Sequence, residues 1–228
     1  MKPGPALFAP DHIVVAAASL AAGAAWCEAE IGVAPQAGGR HVSMATHNLL
    51  LDLSSPRFPQ TYLEIIAIDP LAVPTGRPRW FDLDAAWLRD AVASGPRLVH
   101  WVARTADIDA AAAALRAAGH DPGPAVAAER MTPGGLLRWR ILVRDDGQRL
   151  AAGAVPLVIE WGGVHPTVSL PASGVALEDL RVAGIDPALA AALGVRSSDG
   201  GSPLAARLTT PRGSTVLEAP QRAAAGPG

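Results

Sequence analysis

Two glutamates and two histidines stand in apolar segments of this sequence, where a charged or polar side chain is costly unless it has a partner. Glu64 interrupts the β-branched and aromatic run 61–68, and Glu160 interrupts a similar run at 156–161. His12 and His100 each open a strand-like segment several dozen residues before the acid of their half. An unpaired buried carboxylate costs several kcal/mol, so each acid should face a cation, a hydrogen-bond donor or a metal ion.

The elements around these four residues recur in the same order, which indicates an internal repeat. A helix N-cap candidate lies seven residues after the histidine in both halves (19 − 12 and 107 − 100), at Ser19 and Asp107. A glycine suited to end the helix follows at Gly32 and at Gly119. Three further strands complete each half, so the predicted order is strand, helix, strand, strand, strand.

The predicted units are 10–70, a connector at 71–96 with a short helix over 85–93 capped by Asp84, a second full unit at 97–171, and a shorter third unit at 172–220. The first unit has strands at 12–17, 41–45, 48–53 and 61–68, with a turn at Gly38-Gly39-Arg40. The third unit is predicted to run strand, helix, strand, strand. We expect this unit to extend the sheet or to form the surface of a homodimer. Residues 1–10 and 221–228 are predicted to be loose ends.

Composition excludes several classes of protein. Of the 228 residues, 50% are hydrophobic and 18% are charged, which excludes a disordered chain. The net charge of -2, without a basic stretch among aromatics, argues against nucleic acid as a partner. The apolar run 13–27 is too short for a membrane span, and the preceding Asp11 is wrong for a signal peptide. The single Cys27 excludes an internal disulfide and predicts a cytoplasmic protein.

The repeated unit, with a strand histidine and a strand glutamate in each copy, resembles the vicinal oxygen chelate superfamily, and within it the glyoxalase-like domain branch. The similarity covers about residues 10–171. It is carried by Asp11-His12-Ile13-Val14-Val15, Gly38-Gly39-Arg40-His41, Thr46-His47-Asn48, Tyr62-Leu63-Glu64, His100-Trp101-Val102-Ala103-Arg104-Thr105, Ile159-Glu160-Trp161 and His165-Pro166. This resemblance implies an α+β fold in which paired βαβββ modules curl into an open cup; the truncated third βαββ unit is predicted from the sequence pattern and lies outside the resemblance.

The resemblance also implies a divalent metal site. Carried over by position, the ligands are His12, Glu64, His100 and Glu160, a donor set that suits Zn, Ni, Mn, Co or Fe. A small substrate would chelate the ion through neighbouring oxygens, with Glu160 as the first choice for the catalytic base and Glu64 as the second. The expected activity is that of a metal-dependent lyase, isomerase or dioxygenase. The sequence lacks a clear glutathione-binding set, so lactoylglutathione lyase activity is not expected.

Other residues of the resemblance are assigned to the substrate side of the cup. Thr46 and Asn48 either tie down a turn or, for Asn48, reach into the cup. His47, like His41, is expected to line the cavity or lie on the surface rather than bind the metal. Trp101 and Trp161 alternate with the candidate ligands and are expected on the opposite face of the sheet.

Simpler interpretations stay open at this point. Either histidine could be a core residue satisfied by the backbone. The glutamates could pair with Arg104, Arg138 or Arg140. The cup could also serve a metal-free protein that binds and sequesters an apolar or aromatic small molecule, as in bleomycin resistance, or it could be vestigial in an interaction module.

Overall fold

The computed structural model describes residues 6–132 and 135–220. Strands and α-helices follow one another along these residues as β1 (Ala9–Ala16), α1 (Leu20–Trp26), β2 (Gln36–His41), β3 (Thr46–Asp52), β4 (Tyr62–Ile68), α2 (Ala86–Ala93), β5 (Arg97–Arg104), α3 (Ile108–Ala117), β6 (Ala125–Thr132), β7 (Gly135–Leu142), β8 (Leu157–Trp161), β9 (Ala176–Ala183), α4 (Pro187–Ala192), β10 (Arg196–Ser198), β11 (Leu204–Thr210) and β12 (Gly213–Glu218). Residues 1–5 and 221–228 of the predicted loose ends lie outside the described residues.

Eight strands form one sheet in the order β2-β3-β4-β1-β5-β8-β7-β6. The two halves are mirror images in strand order. Each places its fourth strand beside its first, and the two first strands, β1 and β5, pair antiparallel at the centre. This arrangement confirms the expected α+β fold of paired βαβββ modules with a curled sheet.

Local side-chain chemistry sets where the helices begin. The Ser19 hydroxyl accepts a hydrogen bond from the backbone N–H of Ala22 at the start of α1, and the Asp107 carboxylate does the same for Ala110 in α3. Both residues were predicted as N-caps, and both predictions are confirmed. A π-helical turn extends α1 to Ile31, where Gly32 ends the helix with a φ of 88°.

The two faces of the large sheet bury different partners. The outer face packs its alternating apolar residues against α1, α3 and the second sheet, and Trp101 and Ile65 lie in that core. The inner, concave face is lined by residues such as Val14 and Val102, and the connector covers part of it with Trp80 and Phe81. The connector therefore forms one wall of the cup. None of the helices in the described ranges is long and apolar enough to span a membrane.

Four local predictions differ from the structure. Gly38 and Gly39, predicted as a turn, lie inside β2, and within the predicted strand 41–45 the residues Val42–Met44 form a short 3-10 turn. Asp84 does not cap α2, whose N-cap is Ala85. In the third unit, the three-residue β10 adds a strand to the predicted βαββ order. The second sheet runs β10-β9-β11-β12, with β10 parallel to β9, so its strand order differs from that of the two modules.

Candidate functional site

A cup that is partly open to solvent, with a cavity volume of about 40 Å³, lies on the concave face of the large sheet. Strands of both halves and the connector contribute to its wall. Its polar lining consists of His12, His41, Asn48, Tyr62, Glu64 and Arg130, and its aromatic lining of Trp80, Phe81, Trp139 and Trp161. A concave, largely apolar cavity with a few convergent polar groups is typical of a small-molecule site.

Asp11 supports the histidine that β1 presents to this cup. Asp11 is fully buried, and its Oδ1 lies 2.6 Å from Nδ1 of His12. Its Oδ2 lies 2.9 Å from both Trp161 Nε1 and His165 Nε2. The pairing of β1 with β5 is irregular at Asp11, between Pro10 and His12. Such an irregularity re-aims a side chain, which explains how neighbouring residues of one strand bond to each other.

The surroundings of Asp11 keep it ionised. Burial by itself would raise the pKa of this carboxyl, but hydrogen bonds and positive charge from His12 and His165 outweigh burial and hold the pKa well below its usual range. An ionised carboxylate can only accept, so the Nδ1–H of His12 donates to it. Nε2 of His12 is thereby directed into the cup.

Glu64 of β4 provides the second titratable group at the floor of the cup and is only 5% exposed. Its Oε1 accepts a hydrogen bond from Asn48 Nδ2 at 2.6 Å, and its Oε2 lies 3.7 Å from His12 Nε2. That separation is too long for a hydrogen bond. Within the described residues, neither His12 Nε2 nor Glu64 Oε2 has a hydrogen-bond partner. Both atoms are therefore available to a molecule in the cup.

The candidate substrate residues of β3 divide between the two faces of the sheet. Asn48 lines the cup, but its amide is already engaged, because Nδ2 donates to Glu64 and Oδ1 accepts from the Gly39 N–H at 2.7 Å. Thr46 lies behind the wall, with its hydroxyl 3.1 Å from His41 Nδ1. His47 alternates with these two residues and is not part of the cup lining.

His41, in contrast, forms part of the cup wall. Its Nε2 lies 3.8 Å from Glu64 Oε1, and its ring meets Trp80 edge-on at 5.0 Å. Burial lowers the pKa of His41 to about 4. The ring is therefore neutral near pH 7, so His41 does not supply a positive charge beside Glu64.

The structure does not bring His100 to the site as a ligand. His100 lies on the concave face, but the Phe81 ring packs against it at 5.2 Å and its Nε2 accepts a hydrogen bond from the Leu157 backbone N–H at 3.1 Å. Burial, with the charge of Arg149, holds its pKa well below the usual value. The structure therefore places His100 as a neutral core histidine, with Nε2 bonded to the backbone and a buried Nδ1 that has no hydrogen-bond partner among the described residues.

Glu160 lies on the other side of the sheet. Its carboxylate accepts hydrogen bonds from the Ile108 backbone N–H at 2.9 Å, at the start of α3, and from the Arg140 guanidinium. In β8 it is Trp161, with Ile159, that faces the cup, whereas Trp101 of β5 packs on the outer face as expected. The register of β8 turns the Glu160 side chain away from the cup, so the structure does not bring this expected ligand and first-choice base to His12 and Glu64.

Only His12 and Glu64 of the four expected ligands come together. Among the described residues, no group of three or more His, Cys, Asp or Glu side chains is placed to hold a metal ion. The donor set in the cup therefore does not fit the four-ligand centre that the resemblance implied.

Two elements of the site were visible in the sequence without being assigned a role. Asp11 precedes His12 directly, and His165 belongs to the recognised His165-Pro166 pair, but only the fold brings both histidines to one carboxylate. Arg130 had no distinguishing pattern in the sequence, where it directly follows Glu129 in a strand. Its position in the cup depends on the curl of the sheet.

Comparison with known proteins agrees with this architecture. The sequence model of a family described as glyoxalase-like domain matches residues 11–197. No curated protein sequence matches the chain at a significant level.

Among solved structures, a hypothetical protein from Staphylococcus aureus superposes with a TM-score of 0.53 at 15% identity, over 94% of this chain and 87% of that one. Methylmalonyl-CoA epimerase from Mycobacterium tuberculosis gives a TM-score of 0.42 at 16% identity, over 74% and 96%. A single-residue variant of the Streptomyces coelicolor methylmalonyl-CoA epimerase, in complex with 2-nitronate-propionyl-CoA, gives 0.44 at 20%, over 70% and 98%. At these identities the likeness concerns the fold, not the reaction.

The family match spans most of the chain, and the mirrored βαβββ halves have the matching architecture. The chain belongs to the glyoxalase-like domain family.

Proposed function

We propose that the protein is a small-molecule enzyme of the isomerase or lyase type, in which Glu64 and His12 move a proton on a substrate held in the cup. One observation carries this proposal. His12 Nε2 and Glu64 Oε2 lie 3.7 Å apart at the floor of the cup, and neither has a hydrogen-bond partner in the described chain.

The arrangement supports a division of roles. Glu64 is oriented by Asn48 and takes the place of Glu160 as the base that removes a proton from a substrate carbon next to a carbonyl or carboxylate. The electron pair moves onto the neighbouring oxygen. His12, held by Asp11, faces the same point and returns a proton. The aromatic wall limits access of water, which strengthens both interactions.

Exchange of carbon-bound hydrogen in D2O tests the proposal without knowledge of the physiological substrate. The probes are mandelate, lactate and phenylpyruvate, each with vicinal oxygens, and proton NMR follows the loss of the C–H signal above the enzyme-free rate. We expect exchange of at least one probe by the unaltered protein, and loss of at least about 100-fold in Glu64→Gln, the scale of general-base catalysis.

Glu160→Gln is the matched control, because it makes the same chemical change outside the cup, and it should retain the exchange rate. Equal rates in Glu64→Gln and the unaltered protein would remove Glu64 from the mechanism. Absence of exchange with every probe would contradict the proton-transfer proposal for this substrate class.

In a metal-dependent form of the proposed reaction, only His12 and Glu64 of the four expected ligands could bind the ion in the cup. Elemental mass spectrometry on protein purified without a tag tests it, with Zn, Ni, Mn, Co and Fe measured together. One equivalent of metal that is lost in His12→Ala would support this form. Metal that persists in His12→Ala would place the ion elsewhere.

A metal-free binding protein is the second candidate, and the five aromatic side chains of the cup favour it. Such a protein would bind an aromatic probe and raise its melting temperature, yet it would catalyse no exchange. Measuring both properties on the same preparation distinguishes the two candidates.

A further inference from the structure

Arg130 spans the mouth of the cup from one edge of the sheet to the other. It lies on edge strand β6, whereas the backbone it covers belongs to edge strand β2. A Cβ atom placed on Gly39 would lie 1.9 Å from Nη1 of Arg130 and 2.9 Å from its Cζ. The guanidinium therefore rests against the bare backbone of Gly39, and it forms part of the lining of the cup.

Two nitrogens of this guanidinium lack the partners that buried donors need. Among the described residues, the buried Nε and Nη1 of Arg130 have no hydrogen-bond partner, and no carboxylate lies within 4.0 Å of the group. Arg138, on the neighbouring strand, is instead exposed and pairs with Glu129 at 3.1 Å. Leaving buried donors of a charged group unpaired is costly, so the fold maintains an arrangement that a ligand would satisfy.

The rest of the cup limits what that ligand can be. Arg130 is the only arginine or lysine among the lining residues, and Glu64 is the only carboxylate. One guanidinium matches one negative charge, and its planar N–H edge matches the two oxygens of a carboxylate. Trp139 and Trp161, whose ring centres are 5.8 Å apart, offer an apolar and aromatic surface to the remainder of the molecule.

We propose that the cup binds a small monocarboxylate with an apolar or aromatic body, and that Arg130 holds its carboxylate. This inference rests on the cup as the substrate site of the proposed function, and it adds the substrate class. The carboxylate lies at the mouth, on Arg130, while Glu64 and His12 act from the floor.

Titration of tryptophan fluorescence tests the assignment, since three tryptophans line the cup. The probes are phenylacetate and benzoate, their uncharged counterparts phenylacetamide and benzamide, and inorganic phosphate. We expect Arg130→Gln to weaken binding of the carboxylates about 10- to 100-fold and to leave the amides unchanged, as for loss of a charged hydrogen-bond partner. Arg138→Gln, the matched control, should bind all probes as the unaltered protein does.

A second measurement separates a binding role from a structural one. Without ligand, Arg130→Gln should melt at the same temperature as the unaltered protein or higher, because the substitution removes an unpaired buried charge. A lower melting temperature would indicate that Arg130 supports the fold.

Three outcomes would overturn the inference: carboxylates and amides that bind alike, carboxylate binding unaffected in Arg130→Gln, or absence of binding by every carboxylate. Tighter binding of phosphate than of the carboxylates would also overturn it. The result of the exchange experiment is independent of the result of this binding test. Glu64→Gln should still bind phenylacetate, so Arg130-dependent binding without exchange would contradict only the proposed reaction.

Discussion

Replacing Asp11 with asparagine would remove the charge from a carboxylate that serves three side chains. His12, Trp161 and His165 each place a ring nitrogen within 2.9 Å of it. Asparagine has nearly the same shape but offers one oxygen and one NH2 group. Whichever way the amide turns, at least one of the three ring N–H groups then faces a donor.

The structure allows the size of the effect to be estimated. A buried donor left without its partner costs about 1–3 kcal/mol, and the remaining hydrogen bonds lose the strength that the charge provides. His165 can change tautomer, which limits the loss. Together these terms predict that Asp11→Asn lowers the free energy of unfolding by about 2–4 kcal/mol at pH 7.

The dependence on pH gives a second check. Because the folded protein holds the pKa of Asp11 well below its usual value, the stabilisation is present above the unfolded-state pKa, about 3.9, and is lost as the pH falls through the folded-state pKa. The difference between variant and unaltered protein should therefore be larger at pH 7 than at pH 3.

Urea denaturation followed by tryptophan fluorescence measures both quantities. Asp109→Asn is the control, since that carboxylate is 81% exposed and should change the free energy of unfolding by less than about 0.5 kcal/mol. If Asp11→Asn were as stable as this control, the three hydrogen bonds would not contribute as argued.

Three further predictions concern other parts of the chain. Glu160→Gln should lower the free energy of unfolding by about 1 kcal/mol, because an amide is a weaker acceptor for the Ile108 N–H. Binding of phenylacetate should be unchanged; weakened binding would show that Glu160 takes part in the site. Gly39→Ala should displace the Arg130 guanidinium and weaken carboxylate binding about tenfold, but only while Arg130 is present, which a double-mutant cycle measures; unchanged binding would contradict the contact. Burial raises the pKa of the Cys27 thiol to about 12, so a disulfide reagent at pH 8 should label it only after unfolding; rapid labelling of the folded protein would disprove its burial.

The elements that local chemistry specifies were predictable from the sequence. Ser19 and Asp107 cap the helices that they were expected to cap, and Gly32 ends the first of these helices as expected. Caps and strand runs depend on residues within a few positions of each other, so the sequence alone contains the information.

Predictions that depended on a partner strand were less successful. The Gly38-Gly39 pair has the composition of a turn, yet it continues β2, where the Gly39 N–H is bonded to the Asn48 side chain of β3. The short β10 was missed because its three residues become a strand only by pairing with β9. A local pattern does not contain either contact.

The sequence by itself determined the repeat, the two βαβββ halves and the placing of His12 and Glu64 in apolar strands. Only the tertiary structure decided which side chains of the second half face the cup. Side chains alternate along a strand, so a difference of one residue in register exchanges the two faces. In β8 that register turns Trp161 into the cup and Glu160 towards α3, while Phe81 covers His100. Spacing repeats along the chain, but the face that a residue presents is set by its neighbours across the sheet.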